Sequence, residues 1–151
     1  GGGCGGSGSG GNGSQNQSEL SSFFENPIPE IPDTEITLAT RVDGIQQVEV
    51  SVTERGFEPA VIVIEKGVLL NWTFKGVEIN EKNYRVYFPA YGYQGMEFKE
   101  GNNTINLEPE TDFAWYSWKN DFGGFVKVVD DLDSADLEAI RKDVQLANDQ
   151  N

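Results

Sequence analysis

Histidine is absent from the 151 residues, and the chain has one cysteine, one methionine and only 11 lysines and arginines. Metal sites built on imidazole or on clustered thiolates are therefore excluded. The same absence excludes Ser–His–Asp and Cys–His catalytic groups. The chain also has 25 aspartates and glutamates, so its net charge is −14. This charge argues against binding to nucleic acids and against docking on anionic membrane surfaces.

Long apolar runs are also absent. We predict no transmembrane segment, because no stretch reaches the ~20 apolar residues that a membrane-spanning helix needs. The chain is long enough for one domain with a sizeable core, but not for two. Nothing in the sequence marks two of the 25 acidic residues as facing each other across a cleft, as a glycosidase would require. We therefore predict that the protein is not an enzyme and carries no cofactor.

The first 18 residues, GGGCGGSGSGGNGSQNQS, carry no charge and no large apolar side chain. A segment of this composition buries too little to offset its chain entropy, so we predict a disordered tether over 1–18. Cys4 has three interpretations: the lipidated residue of a bacterial lipoprotein, part of an engineered linker, or a plain free thiol. The first predicts an extracytoplasmic protein of prokaryotic origin, whose contact with a membrane is a lipid anchor at Cys4.

The remaining chain divides into three predicted parts. Residues 19–35 are rich in proline and favour an extended connector. Residues 36–132 contain about eight short strand patterns separated by turn residues, with no helix between them, which indicates an antiparallel β-sandwich or barrel. Residues 133–147 have apolar side chains at helical spacing and predict a short C-terminal helix, with Asp133 or Ser134 as its N-terminal cap.

The aromatic stretch 113–118 alternates two sets of side chains between opposite faces of a strand. Both sets cannot belong to one core, so one of them is either covered by the loop at 90–98 or exposed. Exposed rings at this end of the sandwich could stack on sugars or dock a partner protein. The candidate binding surface consists of Tyr91, Tyr93, Trp115, Trp118 and Phe122.

Short motifs follow one another in a characteristic order between residues 48 and 132. They are Gly-Phe-Glu-Pro at 56–59, Ile-Val-Ile-Glu-Lys-Gly at 62–67, an apolar strand at 68–74, a strand that ends at Pro89, Lys-Glu-Gly-Asn-Asn-Thr-Ile at 99–105, Pro109, the aromatic stretch 113–118, and Gly-Phe-Val-Lys-Val-Val-Asp-Asp at 124–131. This order resembles a small cupredoxin domain of the type found in bacterial surface and membrane-associated proteins. The resemblance implies a Greek-key sandwich.

The chemistry of that family is a type 1 copper site, which uses a cysteine thiolate, two imidazoles and usually a methionine. The resemblance places one histidine near residue 84, the cysteine near the end of the aromatic strand, and the other ligands in the loop that follows. The residues near these positions are Tyr84, Ser117, Lys119 and Phe122. None of them supplies a thiolate or an imidazole, so we predict the fold without its copper site.

Three functional hypotheses follow. The first is a metal-free, lipid-tethered cupredoxin-like module that acts by binding or assembly with an unidentified protein or glycan. The second is a carbohydrate-binding sandwich that uses the aromatic cluster. The third is a metal carrier based on carboxylates, or an accessory of copper-related electron transfer. Glycan binding that depends on Trp118 would favour the second, and a bound hard cation would favour the third.

Overall fold

A computed structural model describes residue 31, residues 36–91 and residues 93–149, without the side chains of residues 93–95. The tether at 1–18 with Cys4, and nearly all of the connector at 19–35, lie outside these residues. The described strands are β1 Thr37–Leu38, β2 Thr40–Val42, β3 Ile45–Thr53, β4 Gly56–Glu58, β5 Val61–Glu65, β6 Leu70–Gly76, β7 Arg85–Phe88, β8 Tyr93–Glu97, β9 Gly101–Leu107, β10 Phe113–Ser117 and β11 Gly123–Val129.

The strands form two sheets. The first has the order β9-β6-β3-β2, with β4 paired to the end of β3, and the second has the order β1-β5-β11-β10-β7-β8. The predicted β-sandwich is confirmed, but the described strands number eleven rather than about eight. The sheets are mixed rather than antiparallel, since β3–β6, β5–β11 and β1–β5 are parallel pairs. Parallel pairs arise because the chain crosses between the sheets, so that β3 and β6 become neighbours with β5 in the opposite sheet.

The main core lies between the two sheets and is rich in aromatic rings. In β6 the side chains of Leu70, Trp72 and Phe74 are fully buried, as their two-residue spacing predicts. Trp115 of β10 meets Trp72 edge to face, with ring centroids 4.9 Å apart. Such ring pairs add to the stabilisation that burial of their large apolar area supplies.

The C-terminal helix α1 runs from Leu137 to Asp149, after a short 3-10 turn over Leu132–Ser134. It therefore begins later than the residue-133 boundary predicted above. The Asp136 carboxylate accepts a hydrogen bond from the Ala139 backbone N–H at 3.1 Å, so Asp136 caps the helix in place of the predicted Asp133 or Ser134.

Helix α1 covers the outer face of the second sheet. Its buried side chains Ile140, Val144 and Ala147 pack in a second apolar cluster that also contains Ala114 and, partly buried, Tyr116. The outward-facing residues of β10 are thus covered by α1, and not by the predicted loop at 90–98.

That segment instead supplies strand β8, which pairs with β7. Asn148 of α1 also holds Ile31, accepting its backbone N–H and donating to its carbonyl at 2.9 Å. In the described part of the chain, no helix is long and apolar enough to cross a membrane.

Candidate functional site

The candidate site lies where β10 ends and two loops meet, at 77–84 and at 118–122. We call it the loop-end site and define it by Asn83, Tyr84, Ser117, Trp118 and Lys119. It contains three of the four positions at which the resemblance places copper ligands. The backbone of Trp118 anchors the second loop to the strand β7, because its N–H donates to the carbonyl of residue 85 at 2.9 Å.

Ser117 is fully buried and closes the turn between β10 and β11. Its Oγ accepts the backbone N–H of Phe122 at 3.0 Å, and its own N–H donates to the Phe122 carbonyl at 2.9 Å. The chain turns at Asn120, whose φ of 62° is left-handed, a conformation that asparagine tolerates better than most residues. The hydroxyl at the expected thiolate position therefore has a structural role in the turn.

Asn83 holds the first loop together, and sequence reasoning missed it. Its side chain is fully buried and donates to the carbonyls of Thr53 and Glu78, each at 2.7 Å. Its Oδ1 accepts the backbone N–H of Asn80 at 2.8 Å. These bonds fasten the loop to the end of β3. In the sequence, Asn83 is one polar residue among several in a loop, and no local pattern distinguishes it from the others.

Trp118 presents an aromatic surface at this site. Its side chain is 36% exposed, and its indole N–H donates to the Glu81 carbonyl at 2.8 Å. The ring of Tyr84 packs against it edge to face, with centroids 5.8 Å apart. The Lys119 ammonium lies 4.8 Å from the indole centroid, a cation–π geometry. The ring is thus held in place while part of its surface faces solvent.

The structure does not assemble the five predicted rings into one rim. Trp115 is fully buried between the sheets, which removes it from any exposed surface. Tyr91 packs on Phe113, with ring centroids 4.8 Å apart, and therefore lies at the opposite end of β10 from Trp118. Phe122 is half-buried against the core, and the side chain of Tyr93 lies outside the description. Among the four of these rings whose side chains the structure describes, Trp118 alone is exposed.

Tyr91 behaves as a packing residue. Burial raises the pKa of its phenol above the ordinary value, an effect that a hydrogen bond with the Glu110 backbone opposes and the Glu110 carboxylate reinforces. The phenol therefore stays neutral to a higher pH than an exposed tyrosine, which suits a ring packed on the core.

The donor set of the loop-end site is a hydroxyl, a phenol, an ammonium and an amide. A type 1 copper centre instead uses a thiolate and imidazoles, so these side chains do not fit it. Among the described residues, no group of three or more cysteines, aspartates or glutamates is placed to hold a metal ion. The arrangement is suited to hydrogen bonding and to stacking against the Trp118 ring.

No family model and no curated protein matches this chain, but solved structures do. The metal-binding domain of the Cu(I)-exporting P-type ATPase CopA of Streptococcus pneumoniae D39, solved with Cu(I), is 23% identical. It superimposes with a TM-score of 0.58 over 64% of this chain and 97% of its own. A copper-binding protein solved in the apo form is also 23% identical, with a TM-score of 0.56 over 61% of this chain and 95% of its own. The chain therefore has the cupredoxin-like β-sandwich fold.

Proposed function

We propose that this chain is a cupredoxin-like binding or assembly module without a type 1 copper centre, and that it is not an enzyme. The sequence supplies no imidazole, and its single thiol lies in the N-terminal tail. The Ser117 hydroxyl accepts a backbone hydrogen bond, and the Lys119 ammonium lies over an indole ring. An ammonium at this place opposes a bound cation by charge repulsion.

The observation that carries the proposal is the fixed, partly exposed ring of Trp118. Its contacts with the Glu81 carbonyl, Tyr84 and Lys119 hold it in one orientation, so little side-chain entropy is lost when a partner covers it. Tryptophan is enriched among the residues that dominate protein interfaces. We therefore place the contact with a partner protein at the loop-end site.

We further propose that the module works outside the cytoplasm, tethered through a lipid on Cys4. The composition of residues 5–18, rich in glycine and serine, supports this proposal, because such a chain spans about 20 Å on average. The acidic charge of the module would keep it away from anionic headgroups. Mass spectrometry of the membrane fraction tests this proposal: an acylated Cys4 peptide supports it, and an unmodified one from a soluble fraction contradicts it.

Copper titration tests the absence of the metal centre. The full chain and a Cys4→Ser variant are titrated with Cu(II), and with Cu(I) under reducing conditions, and retained copper is measured by native mass spectrometry. We expect no blue absorption band and no copper retained by the Cys4→Ser variant. One copper ion retained by that variant, and lost on Ser117→Ala, would contradict the proposal.

Photo-crosslinking tests the binding role of Trp118. A photoreactive phenylalanine analogue is placed at position 118 and, as a control, at Val42, which is 40% exposed in β2, at the edge of the first sheet farthest from β9. We expect protein adducts from position 118 in the source cells and none from position 42. Replacing Lys119 with glutamate should reduce these adducts. Absence of protein adducts, together with Trp118-dependent retention on envelope polysaccharide, would replace this proposal with the carbohydrate-binding hypothesis.

A further inference from the structure

The edges of the two sheets differ in how well they are protected. The edge strands β1, β2 and β4 have only two or three residues each. The edge strand β8 pairs with β7 through a register shift at Val86/Tyr87. By contrast, β9 has seven residues in unbroken register with β6. Among the described residues, β9 pairs with β6 alone, so its other edge is open.

An open edge presents unpaired backbone N–H and C=O groups on every second residue, and natural proteins usually block it. The usual devices are a short strand, a charged side chain, a proline or a bulge. The sequence of β9, Gly-Asn-Asn-Thr-Ile-Asn-Leu, has no charged residue and no proline, and its pairing has no bulge. The most regular edge of the sandwich is thus the one that lacks these devices.

We propose that β9 is a docking edge for an extended partner segment that adds a strand to the first sheet and carries lysine or arginine at the end that meets Glu108. Exposed Glu108 and Glu110 follow the strand and favour a basic residue there. At the other end, exposed Lys99 and Lys75, the latter opposite Asn102, offset the charge of Glu100. The net charge of −14 favours a cationic partner over the long range. This inference does not depend on the loop-end site.

A second copy of the chain is a poorer occupant. Antiparallel pairing of two β9 strands about Thr104 would bring Glu100 of one chain opposite Glu108 of the other. Like charges directly opposite each other destabilise a strand pair, and here the repulsion would occur at both ends. The net charge of each chain adds to it.

The two faces of β9 also determine which side chains the partner segment carries between its ends. Ile105 is half-buried and packs against the main core, whereas Thr104 and Asn106 are exposed on the outer face of the sheet. Neighbouring strands place their side chains on the same two faces in register. The partner therefore alternates apolar residues, which extend the core beside Ile105, with polar residues beside Thr104.

The test uses the full chain and the synthetic peptide Lys-Val-Thr-Val-Thr-Val-Thr with blocked termini, and binding is measured by calorimetry. Antiparallel pairing with the lysine opposite Glu108 places the central valine opposite Ile105. The control peptide carries glutamate in place of the lysine. In Ile105→Lys, the lysine ammonium reaches water across the open edge of β9. An added strand would bury this charge, so the variant should bind the peptide weakly. Ile105→Thr removes a similar amount of packing without the charge. Trp118→Ala reports on the loop-end site.

We expect the lysine peptide to bind the wild type and Trp118→Ala equally, and Ile105→Thr within about threefold. Binding by Ile105→Lys, and binding of the glutamate peptide to the wild type, should be weaker by about tenfold or more. Hydrogen exchange should show that the peptide protects alternate amides within 101–107. Thermal unfolding of Ile105→Lys close to that of Ile105→Thr confirms that the variant is folded.

Several results would overturn the proposal. One is equal peptide binding by folded Ile105→Lys and Ile105→Thr, or loss of binding on Trp118→Ala alone. Another is protection of the alternate β9 amides before any peptide is added, because the edge would then be occupied by another segment of this chain or by a second copy. Failure of the lysine peptide to bind the wild type would also overturn it, and would leave the proposed function at Trp118 unaffected.

Discussion

The Gly124→Ala variant is expected to be strongly destabilised. A Cβ on Gly124 would lie 2.2 Å from Cζ2 and 2.3 Å from Cη2 of the Trp115 ring, far inside van der Waals contact. Trp115 is fully buried and packs against Trp72 and Phe57, so its ring has nowhere to move. Overpacking of this kind costs about 3 kcal/mol or more when neither neighbour yields. Urea unfolding of the variant and the wild type measures the loss.

Two further variants make this prediction specific. Trp115→Leu shortens the side chain opposite Gly124, so the double variant should be more stable than the sum of the single effects implies. Gly67→Ala is the control for alanine itself. Its φ of 75° is left-handed, but no atom lies within 4 Å of the added Cβ, so we expect a loss of only about 1 kcal/mol. A Gly124→Ala variant as stable as Gly67→Ala would contradict the prediction.

The Asn83→Ala variant should lose both stability and order at the loop-end site. The substitution leaves the Thr53 carbonyl without its Asn83 donor in a buried region, and the Glu78 carbonyl without its donor in a partly buried one. An unpaired buried group costs about 1–3 kcal/mol, so we expect a total loss of about 1–3 kcal/mol. Because Glu81 belongs to the same loop, the hydrogen bond between the Trp118 indole N–H and the Glu81 carbonyl should also weaken.

Denaturant unfolding measures the first effect, and acrylamide quenching of tryptophan fluorescence measures the second. The other two tryptophans, Trp72 and Trp115, are fully buried, so increased quenching reports on Trp118. Asn106→Ala is the matched control, because Asn106 is exposed on the outer face of the first sheet. It should change the free energy of unfolding by less than about 0.5 kcal/mol. Equal stability and quenching for the two variants would show that Asn83 does not organise the loop.

The two proposed binding surfaces, the loop-end site and the β9 edge, differ in chemistry. Trp118 offers a fixed ring beside the ammonium of Lys119, and β9 offers an open strand edge that ends beside the carboxylate of Glu108. The variants Trp118→Ala and Ile105→Lys remove them separately. A partner that requires both residues would have to reach both surfaces, which the crosslinking and peptide experiments together would show.

Several properties of this protein were determined by the sequence alone. The absence of histidine excludes imidazole chemistry whatever the fold, because no packing can supply a missing side chain. The alternation in β6 predicted its buried face, since that period follows from the geometry of a single strand. The order of motifs between residues 48 and 132 indicated the sandwich that the structure confirms.

The tertiary structure decided what depends on residues far apart in the chain. Trp115 and Trp118 lie three positions apart, yet one is fully buried and the other is exposed where the chain leaves β10. The role of Asn83 depends on a carbonyl 30 positions away, at Thr53. The parallel pairs likewise depend on which sheet the chain crosses to. Local patterns report the conformation of a segment, but neighbours in space are chosen by the packing of the whole domain. For that reason the part that Asn83 plays in the loop-end site emerged only from the fold, although the sequence had already named the other four residues of the site.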